Sequence, residues 1–357
     1  MLHAVIMAGG SGTRFWPASR VRMPKQLLKL AGDQTMIRQT VDRCSGFVDP
    51  QRIWVVTNAV QVKETRRQLP ELRPDHALVE PVARNTAPCV GLAAICALHE
   101  DPDATLFIMP ADHVISPVPV FEAAARRAVE LVDDNPQRLV LFGVPPTSPA
   151  TGYGYIHRGE ALNTDQTAFR VQAFTEKPQR DVAQQYVDAG DYYWNCGIFC
   201  WKARTILDRL REFEPDMFDR LQRLSKVIGT EEWTTTLDAE FPQMHSIAID
   251  CAVLEKADSV CVIESPFVWD DVGSWLAVPR LAGTDADGNT VDGKVRTLDT
   301  RNCIIRSSEG HLVATLGMED CIIIHTPDAT LVARREDSER IKDLLELLKT
   351  RGDTEVL

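Results

Sequence analysis

Ala4-Val5-Ile6-Met7-Ala8-Gly9-Gly10-Ser11-Gly12-Thr13-Arg14-Phe15-Trp16-Pro17, with Met23-Pro24-Lys25-Gln26 a little downstream, is the stretch on which the reading of this chain turns. Ala4 to Met7 is an apolar run of strand length that breaks straight into glycines. A buried strand ending in a glycine-rich turn leaves backbone N–H groups above the sheet edge, an arrangement that holds phosphate chains. Arg14 and Lys25 follow at positions from which they can fold back over the turn. The familiar phosphate motifs do not fit. G-x-x-x-x-G-K-[ST] has no match, and G-x-G-x-x-G begun at Gly10 breaks at Phe15. Glycines alone would suit any turn, but a plain turn has no use for two cations in register. Ala8, Gly9, Gly10, Gly12, Thr13, Arg14 and Lys25 are therefore the candidate phosphate-binding residues.

Working outward, short apolar strands alternate with helices. Strands are expected at 53–57, 78–80, 105–109 and 139–144, with helices at 35–44, 62–69, 90–99 and 120–132. Continuous apolar strands of this kind indicate an α/β fold with a Rossmann-like, mostly parallel mixed sheet covered on both faces. Ligands on such sheets gather at the strand C-terminal ends. The glycine loop, Glu80 and Asp112 all fall there. From Gly152 the pattern is more mixed, with helices expected at 181–189, 203–213 and 217–228 and strands near 194–201 and 260–263.

The 357 residues suffice for one large and one small unit. A net charge of −12 excludes a nucleic-acid binder, because no basic face would repay the phosphate electrostatics. It also gives weight to the few cations that do cluster in motifs. No apolar run reaches membrane-spanning length, and the N-terminus lacks a signal-peptide pattern, so no membrane partner and a cytoplasmic location are expected. The nine cysteines are scattered without a C-x-x-C, which reads as reduced, mostly buried thiols.

Gly9-Gly10-Ser11-Gly12-Thr13-Arg14-Phe15-Trp16-Pro17 with Pro24-Lys25 resembles the signature of the sugar-phosphate nucleotidyltransferase family. The Phe15-Trp16-Pro17 form is similar to its mannose-1-phosphate guanylyltransferase branch, and six motifs in order carry the likeness from Ala4 to about Trp275. The resemblance implies that GTP and α-D-mannose 1-phosphate give GDP-mannose and pyrophosphate by in-line attack at the α-phosphorus. Such a transfer needs positioning and charge neutralisation rather than a protein nucleophile. Mg²⁺ suits the second task, because it takes few carboxylates and keeps substrate oxygens as ligands. Asp112, in Pro110-Ala111-Asp112-His113, and Asp271, in Trp269-Asp270-Asp271-Val272-Gly273, are the candidate metal carboxylates. The resemblance selects Asp271 over Asp270 because the metal aspartate directly precedes the Val-Gly pair, and the role of Asp270 stays open. Arg14, Lys25, Asp112 and Asp271 form the candidate catalytic set.

The resemblance also assigns Glu176 to sugar hydroxyls and Lys177 to the sugar phosphate, a point charge that holds a nucleophile without blocking it. Asn195 can donate and accept at sugar hydroxyls, and the bare Gly154 backbone admits the sugar closely. Guanine is expected to be read from Glu80-Pro81-Val82-Ala83-Arg84-Asn85-Thr86-Ala87-Pro88, with Glu80, Asn85 and Thr86 as candidates. Arg84 is equally a surface charge, and Asp250 is equally structural. His113 neighbours the metal site, but an anionic nucleophile needs no imidazole base. A nucleotidyltransferase for another sugar 1-phosphate or base would use the same parts. A silent paralogue that binds nucleotide sugar, and a plain α/β nucleotide-binding module, are disfavoured by the full set of cations and paired aspartates.

The Gly-, Asp- and Thr-rich segment 283–293 marks the expected boundary between a catalytic unit, 1–283, and a small unit, 284–357. Asn302-Cys303-Ile304-Ile305 and Asp320-Cys321-Ile322-Ile323 repeat at a spacing of 18, three hexads. That spacing fits one β-helix coil or a small β-meander, and the resemblance favours a left-handed β-helix. The closing helix carries Ile341, Leu344, Leu345 and Leu348 on one face, so this unit is expected to pack on a neighbouring surface or a second subunit, as in a homodimer. The chain lacks the His/Glu pattern of a fused cupin isomerase and reads as monofunctional.

Overall fold

The computed structural model describes residues 1–10, 12–162 and 167–357; Ser11, inside the glycine motif, lies outside the described residues. The opening apolar run is strand β1 (Leu2–Met7), followed by α1 (Met36–Cys44), β2 (Ile53–Asn58), α2 (Val62–Gln68) and β3 (Ala77–Glu80). Next come α3 (Thr86–Glu100), β4 (Thr105–Pro110), β5 (Val114–Ser116), α4 (Val118–Asp134) and β6 (Leu139–Val144). The mixed region supplies β7 (Tyr155–Ala161), β8 (Ala168–Thr175), α5 (Arg180–Ala189) and β9 (Tyr192–Lys202). Helices α6 (Ala203–Phe213), α7 (Pro215–Ser225) and α8 (Trp233–Glu240) lead to β10 (Val260–Glu264), β11 (Val268–Asp270) and α9 (Val278–Ala282).

Nine strands among the described residues form one sheet, ordered β3-β2-β1-β4-β9-β6-β10-β8-β7, and β7 also pairs with β9, so the second half curls back on itself. The pairings make β8 and β9 antiparallel to the other seven strands. This is the mostly parallel mixed sheet that the apolar strands imply. Both faces of β1 are buried, Val5 in one hydrophobic layer and Ala4 and Ile6 in the other, which is why the strand reads as continuous rather than alternating. Helix α3 begins four residues before the expected start. Asn85 caps it by accepting the Thr86 N–H at 2.8 Å, and Pro88 sits in the first turn, where no backbone donor is needed.

The C-terminal strands are β12 (Thr290–Asp292), β13 (Val295–Leu298), β14 (Ile304–Ser307), β15 (Val313–Leu316), β16 (Cys321–His325) and β17 (Thr330–Arg334), before α10 (Ile341–Arg351). Ile304 pairs in parallel with Ile322, Val295 with Val313, and Arg301 bridges to Glu319. Each step is 18 residues, so the repeat seen once in the sequence recurs on separate faces of a coil. Parallel pairing excludes the meander, in which successive strands would be antiparallel. The chain closes with β17 antiparallel to β16.

Ile341 and Leu345 of α10 join Ile304, Ile322 and Leu331 in a core with Phe15, Trp16, Met36 and Trp275. The small unit thus packs within its own chain on the segment that follows the glycine loop. All nine cysteines are free, and all but the half-buried Cys251 are buried. No helix among the described residues is long and apolar enough to cross a membrane.

Candidate active site

Parallel pairing of Met7 with Pro110 sets the ends of β1 and β4 side by side, so the glycine loop and Asp112 leave the same sheet edge. The loop is fixed from behind. The buried Gln26 amide donates to the Ala8 carbonyl at 2.8 Å and the Gly10 carbonyl at 3.2 Å, and Gln61 donates to Gly10 at 3.3 Å. No protein acceptor takes the Gly9 or Gly10 N–H among the described residues. Gly12 has φ +56°, and a Cβ there would collide with the Lys25 backbone, so only glycine fits.

Gly12, Thr13, Arg14, Phe15, Lys25, Asp112, His113, Asp271 and Gly273 line one cleft of about 380 Å³. Lys25, nearly fully buried, joins its walls: its ammonium bonds Asp112 Oδ2 at 2.8 Å and also the Asp271 carbonyl. Lys25 is thus held on the cleft floor rather than lying loose over the turn. Enclosure opposes ionisation of Asp112, but Lys25 outweighs it and holds the carboxyl below its usual range. Asp271 Oδ1 accepts from the Tyr153 hydroxyl at 2.8 Å. A Cβ on Gly273 would stand 3.2 Å from Asp271 Oδ2, so the glycine keeps that oxygen open. Two carboxylates beside a phosphate-sized cleft are chemically able to serve a hard divalent cation as oxygen donors.

Asp270, left open by the sequence, turns away: it accepts the Val272 N–H at 2.7 Å and pairs with Arg280 at 2.9 Å. That cap holds Val272 at φ +49° and aims the neighbouring Asp271 into the cleft. His113 is pushed down to about 4 by burial, so its ring is neutral at physiological pH. Its Nδ1 accepts from the Trp269 indole at 3.1 Å, which places the proton on Nε2.

The second cluster lies across Tyr153. Asn195 donates to Asp250 at 2.8 Å, its backbone N–H bonds the Gly154 carbonyl at 2.8 Å, and Lys177 pairs with Glu176 at 2.8 Å. A Cβ on Gly154 would lie 2.7 Å from Glu176 Oε2. Burial, with the nearby Glu176 charge adding to it, pushes Asp250 up to about 7. The Gly154, Glu176, Lys177 and Asn195 motifs, far apart in sequence, therefore meet in one cluster, and Asp250 belongs to it. Tyr153, packed between Trp194 and Trp269, connects this cluster to Asp271.

Glu80 ends β3 beside the glycine loop, its Oε2 3.1 Å from the place of a Cβ on Gly9. Its Oε1 is buried without a partner among the described residues, and burial pushes the carboxyl up to about 7. Asn85 and Thr86 are engaged at the head of α3: Asn85 caps it, and the Thr86 hydroxyl accepts the Ile249 N–H at 2.8 Å. Arg84 is no loose surface charge; it bonds the Pro242 carbonyl.

Residues 3–287 match the family described as nucleotidyl transferase, across the whole stretch that holds both clusters. The chain belongs to that family. Residues 293–348 match the MannoseP isomerase/GMP-like beta-helix domain. Mannose-1-phosphate guanylyltransferase of Klebsiella pneumoniae is 39% identical, over 98% of this chain and 74% of its own. Alginate biosynthesis protein AlgA of Pseudomonas aeruginosa is 36% identical, over 98% and 73%. The solved structure of mannose-1-phosphate geranyltransferase from Thermus thermophilus superposes with a TM-score of 0.87 at 30% identity, covering 98% of this chain and 99% of that one. As a nucleotidyltransferase, the chain is an enzyme of a kind that generally works with a divalent metal.

Among the described residues, Asp75, His76 and Glu100 also lie close enough together to hold a metal ion. Arg73 already neutralises this group, bonding Asp75 at 2.5 Å and Glu100 at 2.9 Å, so an ion would have to displace a guanidinium. Sequence reasoning missed Tyr153, Gln26, Gln61 and Trp269. Gln26 alone carried a signal, a lone amide between motif Lys25 and the apolar Leu27-Leu28.

Proposed function

We propose that this chain is a mannose-1-phosphate guanylyltransferase: GTP and α-D-mannose 1-phosphate give GDP-mannose and pyrophosphate. A phosphate oxygen of the sugar bonds the α-phosphorus while the α–β bridging P–O bond breaks and pyrophosphate leaves. The observation that carries the reading is the Tyr153 bond to Asp271, which ties a phosphate-type cleft to a sugar-type cluster. The names and coverage of the relatives support it.

In this reading the backbone of Ala8, Gly9, Gly10, Gly12 and Thr13 cradles the triphosphate, and Arg14 and Lys25 neutralise it. Asp112 and Asp271 would hold Mg²⁺, which supplies charge neutralisation at the reacting phosphate. Gly154, Glu176 and Asn195 orient the sugar, and Lys177 holds its phosphate. Glu80 accepts from the guanine N–H edge, with Asn85 and Thr86 beside it. Residues 1–283 carry the chemistry and 284–357 form the accessory unit. We assign a homodimer through that unit, supported by Leu298 and Leu316, which pair in register on β13 and β15 and are 63% and 69% exposed. A cytoplasmic setting suits the free thiols.

Pyrophosphate release measured over a matrix of GTP, ATP, UTP and dTTP against mannose, glucose and galactose 1-phosphates tests the reading. The GTP and mannose 1-phosphate pair should stand out, and equal rates across the bases would overturn it. Light scattering at micromolar concentration tests the dimer.

Glu80 gives a pH prediction. Burial pushes its carboxyl up to about 7, and the ionised form accepts from guanine more strongly than the neutral acid does. KM for GTP should therefore fall as pH rises from 6 to 8. Glu80→Gln should flatten that dependence and raise KM by roughly tenfold, the scale of one hydrogen bond to a charged group. The linkage for stability has the opposite sense. The folded carboxyl keeps its proton to higher pH than the unfolded one, so Glu80 costs stability as pH rises through 7, and Glu80→Gln should remove that loss. A variant whose KM keeps the wild-type pH profile would remove Glu80 from base recognition.

A further inference from the structure

The two lips of the nucleotide cleft come from opposite ends of the catalytic unit, yet both stand on the C-terminal unit. Phe15 and Trp16, which follow the glycine loop, pack with Val272 and Trp275, which follow Asp271, and all four rest on Ile304, Ile322 and Leu345. The Phe15 and Trp275 rings meet edge to face at 5.1 Å. Polar ties run the same way. The Trp16 indole donates to the Val356 carbonyl at 2.7 Å, the Trp275 indole to the Trp16 carbonyl at 3.2 Å, and Arg20 pairs with Asp328 at 2.7 Å. No such tie links the C-terminal unit to Gly154, Glu176, Lys177 or Asn195 among the described residues.

We propose that the C-terminal unit is a platform that sets the spacing between the Gly12-to-Lys25 lip and the Asp271 lip, with Trp16 and Trp275 as positioning residues for the nucleotide half of the reaction. This inference rests on the guanylyltransferase reading for its kinetic arm. The physical ground is the low tolerance of phosphoryl transfer for misplacement: a lip that moves by about 1 Å loses up to about 10²-fold. The aromatic pair explains itself on this view. Buried rings in a shared core fix a loop that the sheet itself does not cover.

Trp16→Phe keeps a ring and removes the indole donor, and Asp328→Asn breaks only a half-exposed pair, so the two differ in their risk to folding. Trp16→Phe should raise KM for GTP about five- to tenfold, the scale of one buried hydrogen bond, and leave KM for mannose 1-phosphate within about twofold. Asp328→Asn should act in the same direction, more weakly. In the free protein, hydrogen exchange should quicken in peptides spanning 12–24 and 271–276 of both variants, and not in β6 or β10. Equal changes in both KM values, or faster exchange spread over the whole sheet, would mean general destabilisation and overturn the platform. Unchanged exchange at both lips would overturn it as well. Should the wild type form no GDP-mannose, the reading of activity fails, while hydrogen exchange still decides the platform.

Discussion

Asp112→Asn and Asp271→Asn are each expected to lower kcat by on the order of 10²–10³-fold, the loss typical of one preorganised charge partner of a reacting phosphate. The two carboxylates reach the same cleft from positions 159 residues apart, 271 minus 112, and Lys25 touches both segments. If they share one ion, the double variant should be little worse than either single one, because groups that act as a unit are not additive. Each variant should also need more Mg²⁺ for half-maximal rate. Stability should separate them. Asp112 is the counter-charge of the buried Lys25 ammonium, whereas the Asp271 carboxylate accepts from the neutral Tyr153 hydroxyl. Asp112→Asn should therefore lower Tm and Asp271→Asn hardly at all. The Asp112 carboxyl lies below its usual range, so its contribution is present above the unfolded pKa and lost as pH falls through the folded one. The acid limb of unfolding should accordingly be shallower in Asp112→Asn. Near-normal kcat in either variant at saturating Mg²⁺ would remove the metal assignment.

The elements legible in the sequence were those whose chemistry is local. β1, β2, β4 and β6 are buried on both faces and so spell themselves as apolar runs, and the glycine loop carries its own geometry in residue type. The direction of β9 was not legible. A central strand that runs antiparallel between β4 and β6 has the same composition as a parallel one, and only long-range pairing decides. β7 and β8 bury fewer residues and carry charges, which hid their register. In the site, motif residues could be named but not their connections. The Tyr153 bond to Asp271 spans 118 residues, and no periodicity announces it. The adjacent aspartates show the same limit: residue type cannot tell a turn cap from an open carboxylate, and the structure assigns the cap to Asp270 through Val272 and Arg280. The β-helix was half legible: one 18-residue repeat was read from the sequence, Val295-Arg296-Thr297-Leu298 and Val313-Ala314-Thr315-Leu316 repeat at the same spacing but were passed over, and the third face pairs unlike residues, Arg301 with Glu319.

Lys177→Ala should raise KM for mannose 1-phosphate by about 10²-fold while KM for GTP stays within about twofold, the cost of removing a close counter-charge from an otherwise anionic cluster. Lys177 is the cation of that cluster among the described residues placed there, and it faces two carboxylates, Glu176 at 2.8 Å and Asp250. Without it, Glu176 and Asp250 would meet a sugar phosphate with like charge only. Its backbone offers a way to separate function from fold. Lys177 stands at φ +46°, before Pro178, a conformation that costs a non-glycine residue about 1–2 kcal/mol. Lys177→Gly removes the charge and relieves the backbone together. A structural lysine would make that variant lose activity and stability in step. A phosphate-binding lysine predicts divergence: Tm held or raised, sugar-phosphate affinity lost. Lys177→Arg keeps a charge but not a compact ammonium, and should recover only part of the affinity. Measuring both KM values and Tm across Ala, Gly and Arg at this position decides the matter, and parallel loss of GTP and sugar-phosphate affinity in Lys177→Gly would take the phosphate from its grip.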